Sequence, residues 1–71
     1  MKLRQRVALN IQDIRRSRGM SQEMLALSAS VNRGYMGKLE NAKHSPTVDT
    51  LEQIANALEV GASAFFRNRS G

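Results

Sequence analysis

Side chains able to do covalent chemistry are scarce in this chain. Among its 71 residues there are one histidine, His44, and no cysteine. The carboxylates Asp13, Glu23, Glu40, Asp49, Glu52 and Glu59 are scattered, without the close pairing or the shared pocket that acid–base catalysis requires. His44 has no second histidine and no thiolate with which to share a metal, so no metal and no cofactor are expected. The imidazole is assigned instead to solvent or to contact with a phosphate. An enzyme is therefore not expected.

The abundant chemistry is cationic, and it is unevenly placed. Lys2, Arg4, Arg6, Arg15, Arg16, Arg18, Arg33, Lys38 and Lys43 face only Asp13, Glu23 and Glu40 in the first 45 residues, whereas the remainder holds Arg67 and Arg69 against Asp49, Glu52 and Glu59. The net charge of +5 thus lies in the first two thirds. A polyphosphate partner favours that distribution, since each neutralised phosphate releases condensed counterions. The same charge also serves solubility, so it does not decide the function alone.

These cations need elements to position them. Leu3, Val7, Ile11 and Ile14 recur at helical spacing and predict a first amphipathic helix, ended by Gly19. Arg15, Arg16 and Arg18 then crowd its last turn, where they suit the negative end of the helix dipole. For Arg16 and Arg18 a contact with nucleic acid stands beside that reading. Ser21 caps a second helix over Gln22 to Ala29, with Leu25, Ala26 and Ala29 inward, and Asn32 caps a third from Arg33 to Glu40 on Met36 and Leu39. Polar residues from Asn41 to Pro46 make a loop. Thr47 caps a fourth helix through the apolar set Val48, Leu51, Ile54, Ala55 and Leu58, with Gly61 as its breaker. Ala62 to Arg67 reads as a short fifth helix with Phe65 and Phe66 inward or toward a second chain, and residues 68–71 as a frayed tail.

No alternating strand pattern and no repeat is visible. The expectation is an all-α fold of five helices in one domain over residues 1–71, with a core worth no more than roughly 3–5 kcal/mol unless a second copy supports it. Apolar runs are too short to span a bilayer and the basic start lacks a secretory core, so a soluble cytoplasmic protein without a membrane partner is expected.

Two short helices joined by a tight turn are the unit that sets a helix into the major groove of a duplex. That groove is about 12 Å wide and admits one helix, braced by the helix before it. Ala26 supplies the small side chain that close crossing needs. Anchored by Met36 and Leu39, the third helix turns Arg33, Gly34, Gly37 and Lys38 outward. Arg33 carries a fork able to bond guanine O6 and N7, and Lys38 reaches a base or a phosphate one turn later.

The stretch GMSQEMLALSASVNRGYMGKLENAKHSPTVDTLEQIANALEV, preceded by IQDIRRSR, resembles the phage Cro and lambda-repressor-like helix-turn-helix proteins. Gly19, Ser21-Gln22, Ala26, Val31, Leu39-Glu40, Pro46, Leu51 and Ala57-Leu58 carry the likeness. It implies a five-helix DNA-binding domain with its motif over about 22–41 and a sequence-specific transcriptional regulator of double-stranded DNA. By that resemblance Arg33, Gly34 and Lys38 read bases. Gln22, Tyr35, Asn41, Lys43, His44 and Ser45 contact the DNA backbone, Tyr35 also packing beneath its helix. Arg15 and Glu40 match a pair that forms a partly buried ion bridge in some relatives.

Within the family, NRGYMGKLENAKHSPTVDTLEQIANALEV is similar to controller proteins of restriction-modification systems, which activate or repress their own promoters, while phage repressors, antitoxins and housekeeping regulators share much of the same stretch. A palindromic site read by a homodimer is expected, with Val60, Phe65, Phe66 and the outer side of the fourth helix at the twofold contact. No small-molecule effector is expected. The alternative is an antitoxin-type protein-interaction module that also represses its own promoter, although no extended or acidic segment for such a partner is visible. Two departures stand out: Ser30 occupies a position usually held by glycine, and Gly34 and Gly37 lie inside the recognition helix, each costing about 0.8–1 kcal/mol relative to alanine.

Overall fold

The first apolar stripe folds as its spacing demands. In the computed structural model, which describes residues 1–69, α1 spans Leu3–Ser17 and buries Val7, Ala8, Ile11 and Ile14. Gly19 stops it in the left-handed region at φ +68, where glycine carries no Cβ penalty, and the Met20 N–H closes the end on the Arg15 carbonyl at 3.1 Å. Leu3 is the exception to the stripe: it lies on the first turn, at the rim of an open groove beside Pro46, Val48 and Phe66, and stays exposed.

The next three helices begin at side-chain caps. Ser21 Oγ accepts the Met24 N–H at 3.0 Å and opens α2, Gln22–Ala29. Asn32 Oδ1 accepts the Tyr35 N–H at 3.2 Å and opens α3, Arg33–Glu40. Thr47 Oγ1 accepts the Thr50 N–H at 3.0 Å and opens α4, Val48–Leu58. Each cap satisfies an amide that the helix itself leaves without a partner.

Their ends are less conventional, because three residues with side chains adopt the left-handed conformation: Ser30 (φ 57), Ala42 (φ 59) and Glu59 (φ 59). In each case the following amide reaches back into the last turn, Val31 to Ala26 O at 2.8 Å, Lys43 to Lys38 O at 2.8 Å and Val60 to Ala55 O at 3.0 Å. Glu59 therefore ends α4 two residues before Gly61, the expected breaker, which is extended. Val48, expected on the inward face of α4, is 82% exposed because the first turn of that helix overhangs the groove.

Among the described residues all regular structure is helical, in four α-helices and one 3-10 segment rather than five α-helices. That last segment, Ala62–Phe66, is wound as a 3-10 turn, its Ala64 N–H bonding the Gly61 carbonyl three residues back at 3.0 Å. α2 packs on α3 and α4, and α1 on α3 and the 3-10 segment, around a core in which Ile11, Leu25, Met36, Leu39, Ile54, Leu58 and Phe65 are fully buried.

The tail is tied rather than frayed at Asn68 and Arg69. Buried Asn10 donates from Nδ2 to the carbonyls of Phe65 (2.8 Å) and Arg67 (3.0 Å), and its Oδ1 accepts from Arg69 Nη1 at 2.8 Å. Arg69 also pairs with Asp13 at 2.7 Å, and Arg6 donates to Asn68 Oδ1 at 2.8 Å. The other two residues of the expected frayed tail, 70 and 71, lie outside the described residues.

Candidate nucleic-acid interface

α2 and α3 are separated by a three-residue turn, Ser30 to Asn32, and buried Ala26 is the small side chain expected at their crossing. One face of α3 is sunk into the core through Met36 and Leu39. Arg33, Gly34 and Lys38 remain exposed on the other. A helix held in this way is a projecting rod with cations at both ends.

The rod is fixed by a buried polar cluster. Glu40, 3% exposed, receives two bonds from Arg15, Nε to Oε2 at 2.8 Å and Nη2 to Oε1 at 3.0 Å. Arg15 Nη1 donates to Met20 O at 2.9 Å, so the guanidinium also holds the turn between α1 and α2. Gln12 Nε2 bonds the Glu40 carbonyl at 2.6 Å, and Gln22 Nε2 bonds Glu40 Oε1 at 3.0 Å. The pairing implied for Arg15 and Glu40 is thus present and extends to two glutamines that the sequence did not single out for it. Gln22, expected at a phosphate, gives its side-chain nitrogen to this cluster and braces the start of α2 against the end of α3.

The remaining residues divide between the rod and the loop after it. Arg33 Nε stands 3.8 Å from Glu23 Oε2, an exposed pair of little energetic weight that leaves the fork free to exchange partners. A Cβ on Gly34 would meet Asn32 Oδ1 at 3.1 Å, so glycine there relieves crowding against the cap; on Gly37 it would meet Gln22 Oε1 at an ordinary 3.7 Å. Tyr35 is half-buried and stacks on His44, ring centroids 5.8 Å apart and 18° between planes. That stack ties α3 to the loop, where Asn41, Lys43 and Ser45 are exposed.

Ser45 Oγ also accepts a 3.0 Å hydrogen bond from Arg4 Nε on the first turn of α1, a contact across 41 residues that no local pattern announces. Arg18, left between helix dipole and DNA, donates to Leu58 O at 3.0 Å and so closes the end of α4 instead. Of the three residues expected at a twofold contact, Phe65 is completely buried in its own chain and has no surface to offer; Phe66 is 40% exposed and Val60 half-buried. The adjacent phenylalanines part because successive side chains on a 3-10 turn point about 120° apart.

A helix-turn-helix family profile matches residues 11–65, which spans α2, α3 and the whole cluster around Glu40. The chain belongs to the helix-turn-helix family. It is 36% identical over 58 residues to the immunity repressor protein of Bacillus phage phi105, a match covering 82% of this chain and 40% of the repressor. A helix-turn-helix transcriptional regulator of Sinorhizobium fredii is 35% identical over 60 residues, covering 84% of this chain and 78% of that protein. Among solved structures, the restriction-modification controller protein C.Esp1396I superimposes with a TM-score of 0.85 at 35% identity, over 93% of this chain and 86% of that one. The chain thus spans about two fifths of the phage repressor but most of the other two. Family membership makes this helix-turn-helix chain a DNA-binding regulator, and no helix among the described residues is long and apolar enough to cross a membrane.

Proposed function

We propose that the chain acts in the cytoplasm as a homodimeric regulator that places α3 in the major groove of a palindromic operator, and that it governs its own promoter in the manner of a restriction-modification controller or a phage repressor. In this reading residues 1–71 form one DNA-binding unit. The observation that carries it is the pairing of an exposed outer face of α3, with Arg33, Gly34 and Lys38, and a buried brace that fixes that helix's orientation. Arg33 and Lys38 read base edges, with Gly34 allowing close approach. Asn41, Lys43, His44, Ser45 and Tyr35 lie along the sugar–phosphate backbone.

Division of labour among these residues is measurable. Selection of bound duplexes from a random pool yields a palindrome with half-sites about 34 Å apart if two copies bind one face of the helix. Arg33→Ala relaxes preference at one base position of each half-site, at a cost of about 1–3 kcal/mol for the preferred base. Lys43→Ala weakens every sequence alike and lowers the salt slope by about 0.9. Uniform loss in both variants contradicts the assignment of readers and clamps.

A further inference from the structure

The loop after α3 has a companion along its length. At its start the Glu40 carbonyl is bonded by Gln12, and at its end Ser45 is bonded by Arg4. Arg4 and Gln12 lie on one helix about two turns, or roughly 12 Å, apart. The loop therefore runs back along α1, with exposed Lys43 between the two anchor points and exposed Arg4 beyond it.

Arg4 and Arg18 are the two arginines bonded through Nε alone with no carboxylate partner among the described residues, but Arg18 is turned to Leu58 O at the far end of α1 whereas Arg4 lies beside the loop. Arg15 is matched by Glu40, Arg69 by Asp13 and Arg33 loosely by Glu23. Arg6 is turned to Asn68, and Arg18 to Leu58 O. Among the described residues no carboxylate lies within ion-pair distance of Arg4, and its bond to Ser45 Oγ uses Nε alone. The two terminal nitrogens, with four N–H groups, keep the planar fork that matches a phosphate. An arginine held at Nε has already lost part of the rotamer freedom that phosphate binding would otherwise remove.

We propose that Arg4, anchored by Ser45, clamps a backbone phosphate of double-stranded DNA and extends the row begun by Lys43 onto the first turn of α1. This rests on the loop facing the duplex, as proposed above. The salt dependence of binding to the selected operator tests it, with wild type, Lys43→Ala, Arg4→Ala, Arg4→Lys and Arg6→Ala compared after their melting curves are shown to agree. Arg4→Ala lowers the slope by about 0.9 and weakens all sequences alike, its deficit being about threefold larger at 50 mM than at 200 mM salt. Arg4→Lys restores the slope by keeping the charge, and Arg6→Ala leaves it unchanged. If Lys43→Ala lowers the slope and Arg4→Ala does not, or if Arg6→Ala lowers it equally, the clamp is overturned while the loop's orientation stands. If neither Lys43→Ala nor Arg4→Ala alters it, the loop faces away from DNA and both readings fall.

Discussion

Ser30 shows how a single residue records a compromise. Its left-handed backbone, at φ 57 and ψ 41, lets Val31 bond back to Ala26 and turns the chain from α2 into α3. A side chain in that region costs about 1–2 kcal/mol, and glycine avoids the cost while adding freedom to the unfolded chain. Ser30→Gly is therefore expected to stabilise the protein by about 0.5–1 kcal/mol, seen as a higher denaturant midpoint at constant slope. A midpoint that stays put or falls contradicts the strain. The caps Ser21, Asn32 and Thr47 are legible in the sequence because a cap is a local bond between a short polar side chain and an amide three residues on. The stops at Ala42 and Glu59 are not, because neither type favours the left-handed region and only the surrounding packing holds them there.

At the scale of the element, α3 is useful only while its axis is fixed. Its extent is readable from the Asn32 cap and the Met36–Leu39 anchor, but its brace is not: a charged pair 25 residues apart leaves no periodic trace, and only family resemblance linked Arg15 to Glu40. The structure adds why the pair persists. Glu40's side chain is 1% exposed and Arg15's 10%, and both carboxylate oxygens are bonded. A buried pair of this kind gives little net stability against an apolar replacement, yet removing one partner strands the other charge in a dry site. Glu40→Gln is accordingly expected to cost about 3–5 kcal/mol, comparable to the whole stability of a core this size, and to lower the melting temperature steeply. A variant that melts with the parent refutes the argument. Val48 and Gly61 depart from expectation at this same scale, since helical periodicity says which residues share a face but not where the neighbouring element ends.

For the whole molecule the unanswered demand is apolar surface. Leu3, Val48 and Phe66 are 51%, 82% and 40% exposed, and they meet along two open grooves completed by Leu51 and Val60. Phe66 is set there by a connection the sequence hid: Asn10 sits within an apolar helix face, and nothing local reveals that it holds the carbonyls of Phe65 and Arg67. A stable protein interface takes about 800 Å² from each partner, roughly a sixth of this chain's 4525 Å² surface, so one contiguous face suffices. If a second copy covers it, stability must rise with protein concentration, since association draws on the folded form alone. Val48→Glu separates this effect from folding. Val48 touches little of its own chain, and an acid on the first turn of α4 is favoured by the helix dipole, so the monomer keeps its fold. Equilibrium sedimentation at tens of micromolar should show wild type as a dimer and the variant as a monomer, with a concentration-dependent melting temperature in wild type only. A variant that still dimerises places the twofold contact on another face, whereas a monomeric wild type removes that contact and with it the structural reason for a palindromic operator.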